Sequence, residues 1–234
     1  MRIPTLLLLL GLFVSAWNFG SEVPTKIPEA KPWEGSYSLP SGGRFDVKAE
    51  GNDLVLEPRN QTALTALGCR RDETPSREYI GLTELAVDKL IKNDLKAFRK
   101  EAGTSRVMTW FVKKSWKGMI DTMGRPTSFQ YIGTIPDGAE MASVVKVQLE
   151  SGSQFFCLRW KERKVKSVSH GHRFPGVPWF NPGPASTFVP SVSYQGASQW
   201  TRLTFDLDPF GNITGMNLYS ADGTNVLVAE RVEE

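Results

Sequence analysis

The chain of 234 residues has few of the side chains from which metal centres are usually built, with only two cysteines and two histidines. Cys69 and Cys157 belong to no paired-cysteine motif, so we expect no structural zinc site on them. His170 and His172 would project from the same face of an extended segment, as a metal-ligating pair does. A third metal ligand would have to be a carboxylate, and no Asp or Glu lies at a spacing that identifies it as one. The two histidines therefore fit hydrogen-bonding residues of a loop better than a metal site, and we expect no cofactor.

Motifs for phosphate binding and nucleophilic catalysis are also missing: there is no Gly-rich phosphate loop and no Gly-x-Ser-x-Gly elbow. Ser143-Val-Val-Lys146 matches Ser-x-x-Lys, a motif that needs both side chains on one helical face so that the amine can take the hydroxyl proton. The surrounding residues alternate as in a strand, which sends Ser143 and Lys146 to opposite faces. The sequence therefore favours a protein without catalytic activity. The alternative is a hydrolase-type enzyme with its site in the central α+β segment or near His170.

Charge of one sign is not in large excess. The chain has 28 Lys and Arg against 25 Asp and Glu, a formal net charge of +3. A balance this close to neutral gives no bulk attraction toward nucleic acid. The one dense basic run, residues 161–166, follows a predicted strand and fits a solvated hairpin. We expect no nucleic-acid partner.

Apolar runs long enough to cross a membrane are absent, and the longest apolar run lies at the N-terminus. Arg2 precedes the apolar stretch Leu6–Val14, and Val14-Ser15-Ala16 forms a small-residue cleavage signal. The stretch is too short to span a bilayer, which takes roughly 20 residues. Residues 1–20 are therefore predicted to be a signal peptide of an exported protein, periplasmic or extracellular, with no membrane span after cleavage. A retained N-terminal membrane tether stays open, because residues 17–20 blur the cleavage point.

Export bears on the two cysteines, since disulfides form and persist outside the cytosol. A disulfide between Cys69 and Cys157 is one expectation. Two separately buried thiols are the alternative.

The most regular pattern is an antiparallel meander over residues 205–232, with turns at 209–212 and 221–223. A sheet with one apolar face needs at least three strands to be stable, and upstream strand patterns at 33–57 are the best donors. The predicted domains follow in chain order: a Pro-rich linker (21–32), then a discontinuous β-domain (33–68 and 185–234).

The central part, residues 72–172, has a different character. A helical stripe over 83–102 is broken near Asn93-Asp94, and a second amphipathic piece covers 107–123. Alternating segments then predict a run of antiparallel strands, so this part is expected to be an α+β domain with helices on one face of a curved sheet. Residues 173–184 are so rich in Pro and Gly that we expect a connector without regular structure.

The flanking segments resemble the lipocalin-like β-domain found C-terminal to serine hydrolases of the β-lactamase/S12 peptidase type. The matching features are Gly35-Ser-Tyr37, the hairpin 51–56, Asn60-Gln-Thr-Ala63 and the closing motif 205–218 ahead of Ala229-Glu-Arg-Val232.

The central part resembles the NTF2-like (cystatin-like) cone through the helix 86–95, Ile132-Gly133-Thr134 and the paired segments 147–152 and 155–160. The two resemblances imply an α+β fold in which an antiparallel lipocalin-like β-domain carries an inserted NTF2-like α+β cone. They also imply that a homodimer could form through the NTF2-like sheet. Neither resemblance implies a reaction, because both folds host many unrelated roles.

An NTF2-like cone can hold an apolar ligand whose orientation is set by a few polar groups. Arg159 shares a strand face with Phe155 and Cys157, which favours an anionic amphipathic ligand. The alternative is that the aromatic rings simply fill the core. The β-domain, with about 85 residues, is expected to be too short for an eight-stranded barrel with ligand room. The sequence thus predicts an exported, non-catalytic binding or accessory protein with a small amphipathic ligand or an envelope protein as its partner. The candidate ligand-binding residues are Trp110, Trp116, Tyr131, Phe155, Arg159 and Trp160.

Overall fold

The structure is a computed structural model that describes residues 31–68, 78–171, 180–182, 187–190 and 200–232. The predicted signal peptide and almost all of the predicted linker lie outside these ranges, as do Cys69 and His172. Within the described ranges, no helix combines the length and the apolar character needed to cross a membrane.

The described residues form four α-helices, one short 3-10 helix and twelve strands. The helices are α1 (Gln61–Gly68), α2 (Tyr79–Ile91), α3 (Leu95–Glu101) and α4 (Arg106–Met123), and the 3-10 helix is Lys31–Trp33. The strands that flank the central part are β1 (Gly35–Ser38), β2 (Arg44–Glu50), β3 (Asp53–Pro58), β8 (Phe180–Pro182), β9 (Thr187–Pro190), β10 (Trp200–Leu207), β11 (Ile213–Ser220) and β12 (Val226–Val232). The strands of the central part are β4 (Pro126–Asp137), β5 (Glu140–Leu149), β6 (Gly152–Lys161) and β7 (Lys164–Gly171).

The flanking strands close into an antiparallel barrel in the order β1-β12-β11-β10-β9-β8-β3-β2. Closure removes the exposed strand edges of an open sheet. The predicted sharing of one sheet between the upstream strands and the C-terminal meander is confirmed, because β1 pairs with both β2 and β12. Large apolar side chains from alternate positions are fully buried in the barrel-side core: Tyr37, Phe45, Leu54, Leu56, Phe180, Phe188, Leu203, Met216 and Leu218.

The barrel corrects two expectations. Residues 173–184 were expected to lack regular structure, but β8 lies inside that segment and pairs with β3 through Leu54 and Phe180. The β-domain was also expected to supply too few strands for an eight-stranded barrel. The three-residue β8 and the four-residue β9 complete it.

The central part forms a separate antiparallel sheet in the order β4-β5-β6-β7, and its two middle strands are largely buried on both faces. One face, which includes Phe156 and Trp160, packs against α2, α3 and α4 and forms with them what we call the helix-side core. The opposite face, which includes Phe155 and Cys157, belongs to the barrel-side core. Because alternate residues point to opposite faces, burial on both sides explains the continuous apolar run Phe155-Phe-Cys-Leu158. The fold is therefore α+β, with helices on one side of a meandering sheet and a β-barrel on the other.

Helix α1 lies where the barrel meets the second sheet. Gln61 accepts a hydrogen bond from the Thr134 N–H (2.7 Å) and donates one to the Thr134 carbonyl (3.0 Å). A Cβ at Gly133 would stand 2.7 Å from both the Leu64 side chain and the Gln61 side-chain oxygen, so a larger residue would have to displace these two side chains. A second contact joins the barrel to the central sheet. The buried Glu57 carboxylate of β3 accepts a hydrogen bond from Lys146 Nζ of β5 at 2.7 Å.

Candidate functional site

Helix α4 provides one wall of the candidate site. The Ser105 side chain caps its N-terminus by accepting a hydrogen bond from Met108 N at 3.1 Å. Gly124 ends the helix with a positive φ of 82° and donates its N–H to Ile120 O at 2.9 Å. The predicted second amphipathic piece is thereby confirmed. Its inner face buries Val112, Trp116 and Met119.

Two neighbouring cavities lie between α4 and strands β6 and β7. The inner cavity has a volume of about 240 Å³, and Trp116, Phe156 and Val168 contribute to its mainly apolar wall. The outer cavity has a volume of about 550 Å³, and polar groups join the apolar side chains in its wall. Phe111 and Ser115 line both cavities. We call the two cavities together the α4 groove.

The apolar wall of the inner cavity contains a hydrogen-bond donor without an acceptor. Trp116 is only 3% exposed, and its indole N–H has no hydrogen-bond partner among the described residues. An unsatisfied buried donor costs about 1–3 kcal/mol, which is why buried indoles normally find an acceptor. Other buried polar atoms among the described residues also lack hydrogen-bond partners, including Trp160 Nε1. Trp116 is the residue among them that lines the α4 groove. The indole nitrogen is itself buried, so an acceptor group of a ligand would reach it through a shift of the side chains around it.

A serine–histidine pair lies at the outer cavity. Ser115 Oγ is 2.6 Å from His170 Nε2, and the imidazole stacks on Phe156 with ring centroids 5.4 Å apart. Partial burial lowers the pKa of His170 below its usual value, so the ring is neutral at neutral pH and can accept the serine proton. Among residues 31–68, 78–171 and the other described strands, no carboxylate hydrogen-bonds to this imidazole. The pair thus contains a nucleophile and a base without the third group that orients the base in a catalytic triad.

A cation and an amide stand beside the apolar wall of the outer cavity. Lys114 lines it, with its ammonium 5.7 Å from the centroid of the Trp110 ring. Gln154 of β6 also lines it and donates to Met123 Sδ at 3.1 Å. The outer cavity therefore offers a positive charge and hydrogen-bonding groups, whereas the inner cavity offers mainly apolar surface beside the Trp116 indole.

The structure does not bring the six predicted ligand-binding residues into one cavity. Trp116 lines the α4 groove, whereas Trp160 is fully buried in the helix-side core beside Tyr79. Trp110 belongs to the outer face of α4 and is 56% exposed.

The remaining three predicted residues lie elsewhere in the central sheet. The Tyr131 hydroxyl is 2.6 Å from Thr134 Oγ1. Phe155 is buried in the barrel-side core, and Arg159 forms an ion pair with Asp137. Arg159 is thus engaged by an acid, and Lys114 is the cation that lines the groove.

Cys157 is a buried thiol, and its burial raises its pKa to about 11. Its predicted disulfide partner Cys69 and the predicted histidine partner His172 both lie outside the described residues, so these two pairings stay predictions. Within the part of the chain that the structure describes, no group of three or more His, Cys, Asp or Glu side chains is placed to hold a metal ion.

The serine and lysine of the Ser-x-x-Lys match are held apart. Ser143 Oγ is 2.6 Å from Thr134 Oγ1, whereas Lys146 Nζ binds Glu57 at 2.7 Å. The serine that does meet a base, Ser115, was not among the predicted site residues. Its partner His170 is 55 positions away, and no local pattern in the sequence links the two.

A larger cavity of about 1070 Å³ lies against the barrel and is lined by residues of β1, β2, β11 and β12. Its charged lining groups are largely engaged within the protein. Asp46 forms an ion pair with Arg59, Lys48 Nζ lies 2.6 Å from Glu57, and Arg231 donates to the Glu34 carbonyl at 2.8 Å. We therefore favour the α4 groove as the candidate functional site.

Neither the family models, nor the curated proteins, nor the solved structures contain a match to this chain. The function is accordingly argued from the chemistry of the α4 groove.

Proposed function

We propose that this chain is an exported, non-catalytic binding protein that holds a small amphipathic ligand in the α4 groove. The observation that carries the proposal is the preformed, mainly apolar inner cavity lined by Trp116, whose buried indole N–H has no partner among the described residues. A preformed apolar pocket with a few polar groups is the usual form of a small-molecule site. Export is supported by the signal-like composition of residues 1–20.

The groove suits a ligand with an apolar body and at least one hydrogen-bond acceptor. The outer cavity alone, at about 550 Å³, falls within the range of about 300–1,000 Å³ typical of ligand pockets. Phe111 and Met119 supply apolar contacts there, and the Lys114 ammonium favours an anionic head group. A carbonyl or carboxylate oxygen is the acceptor that the Trp116 N–H requires. A fatty-acid-like anion supplies the apolar body and a carboxylate that can accept from the indole N–H, while the Lys114 ammonium, which lines only the outer cavity, attracts the anion to the groove.

The test uses dansyl-labelled undecanoic acid as the probe. Trp116→Phe keeps an aromatic ring in the wall but removes the N–H, so we expect the affinity for the probe to fall about fivefold, the equivalent of one hydrogen bond of about 1 kcal/mol. The matched control is Trp160→Phe, which removes another buried and unpartnered N–H outside the groove. Equal affinities of the wild type and both variants, measured by fluorescence titration, would refute the proposal.

The pair Ser115–His170 supports a second candidate function, hydrolysis of an ester at the outer cavity. The separation of 2.6 Å is the distance at which a neutral imidazole takes the proton of a hydroxyl nucleophile. Against this, Ser115 lies inside α4, where backbone N–H groups are used in helical hydrogen bonds and cannot serve as an oxyanion hole.

Turnover of p-nitrophenyl butyrate decides between the two functions. Under the binding proposal, the wild type hydrolyses the ester no faster than Ser115→Ala or His170→Ala. Turnover that exceeds both variants by about a hundredfold or more, the usual contribution of a general base, would replace binding by hydrolysis.

As part of the same proposal, the barrel is a lipocalin-like domain and the central part is an NTF2-like cone inserted into it. The closed barrel and the helix-covered sheet are compatible with both resemblances. An envelope protein as partner and a homodimer through the NTF2-like sheet also stay predictions. For such a dimer, the strands β5 and β6 already have both faces buried, so the contact would have to use other parts of the sheet.

A further inference from the structure

The outer face of α4 exposes large apolar side chains to solvent. Val107 is 67% exposed, and Trp110 and Phe111 are each 56% exposed. Positions i, i+3 and i+4 fall on one face of a helix. The rings of Trp110 and Phe111 contact each other edge to face, with centroids 5.0 Å apart. We call Val107, Trp110 and Phe111 the α4 patch.

Cations surround the patch on the same helix. Four exposed basic side chains belong to α4, and Asp121 is its one acidic residue. None of the four forms an ion pair with a described residue, so their charge remains available to a partner. The four are Arg106, Lys113, Lys114 and Lys117.

We propose that the α4 patch docks on an anionic lipid surface. Trp and Phe on a helix with a basic polar face are the side chains of helices that lie in the membrane interface. The aromatic rings would enter the boundary between head groups and acyl chains, while the four cations meet anionic head groups. The exposed face of a single helix is convex, so a flat bilayer can cover it.

Docking at this face would place the α4 groove next to the bilayer, because Phe111 belongs both to the patch and to the groove wall. The docking inference does not depend on a bound ligand. Trp116 is buried on the inner face of the helix, so its substitution by Phe should leave docking unchanged although it lowers the affinity for the ligand.

The experiment places a fluorescent label on α4 of the full chain in a Cys69→Ser background. Gly118→Cys provides the attachment site, because a Cβ there meets no atom within 4 Å, and the buried Cys157 is protected from labelling. An environment-sensitive nitrobenzoxadiazole label reports contact with the bilayer. The control label is attached through Asn52→Cys in the exposed turn between β2 and β3. The control is needed because the apolar residues 1–20 can bring the whole chain to a vesicle.

We expect vesicles of phosphatidylglycerol and phosphatidylcholine to shift the emission of the label at position 118 to the blue and leave the label at position 52 unchanged. Pure phosphatidylcholine should give a weaker response, and salt should weaken the response to anionic vesicles by screening. The double variants Trp110→Ala/Phe111→Ala and Lys113→Glu/Lys114→Glu should each lower the apparent vesicle affinity about tenfold or more.

An unchanged label at position 118, or a response that neither double variant reduces, would overturn the proposal. A shift that appears with rising protein concentration in the absence of vesicles would also overturn it, since a second copy of the chain would then cover the patch.

Discussion

Cys157 shows how the fold changes the chemistry of a single residue. Burial against the barrel-side core raises the pKa of its thiol to about 11 from an ordinary value of 9.0. Below pH 9 the thiol is neutral in both the folded and the unfolded chain. Between pH 9 and 11 the unfolded chain loses this proton while the folded chain keeps it, so the free energy of unfolding falls by up to about 1.4 kcal/mol per pH unit.

We predict that Cys157→Ser removes this part of the alkaline destabilisation. The comparison uses urea unfolding of the wild type and the variant from about pH 8 to about pH 10. This range ends at the ordinary pKa of tyrosine, 10.0, above which the buried Tyr37, with its pKa raised to about 12, adds a similar destabilisation to both chains. The free energy of unfolding of the variant should depend less steeply on pH at the alkaline end. Parallel curves would show that the thiol is ionised as easily in the folded chain as in the unfolded one.

At the level of single residues, only part of the candidate site could be predicted from the sequence. Trp116 was expected to contact a ligand because it is a bulky aromatic residue in a helix of the α+β segment, and it lines the groove. His170 was noted as a rare residue type. Its partner Ser115 could not be found from local sequence, because only the antiparallel arrangement of β6 and β7 beside α4 brings the two together. Arg159 carries the expected charge, but sequence alone does not reveal its pairing with Asp137.

Among the elements, α4 and α1 differ in how far their sequences specify them. Helix α4 has a strong 3.6-residue period and a glycine at its end, so its limits were expected within one residue. Residues 61–67 have mixed propensity, and no helix was predicted there. Helix α1 forms because the Asn60 side chain accepts a hydrogen bond from Ala63 N at 3.0 Å and because Leu64 and Leu67 are buried in the barrel-side core.

Because α1 is held by tertiary contacts, we predict a large effect of Gln61→Ala on stability. The substitution removes both hydrogen bonds to Thr134 and leaves a buried N–H and carbonyl without partners, which costs about 1–3 kcal/mol per unsatisfied group. The neighbouring exposed Thr62 gives the matched control, Thr62→Ala. Urea unfolding should show a lower midpoint for Gln61→Ala and a midpoint near wild type for the control. Equal midpoints would mean that this contact between barrel and sheet contributes nothing measurable.

In the whole molecule, a barrel built from two distant segments encloses one core and supports a second sheet. The alternating patterns of β2, β3 and the C-terminal meander were sufficient to predict that they share a sheet, because their apolar faces need one another. The Pro-rich segment concealed β8, since three residues are too few to show a period. The pattern also identified which residues share a strand face but not what covers that face. For this reason the sheet cavity expected around Phe155 and Arg159 is replaced by a groove beside α4.

The most direct test of the central claim observes the Trp116 N–H itself. In a chain with ¹⁵N-labelled tryptophan, the indole resonance of Trp116 is assigned by its loss in Trp116→Phe. Saturation with undecanoate should move this resonance downfield and slow its hydrogen exchange, because the N–H gains an acceptor, while the Trp160 resonance stays in place. A Trp116 resonance that does not move when the fatty acid is saturating would contradict ligand binding in the α4 groove.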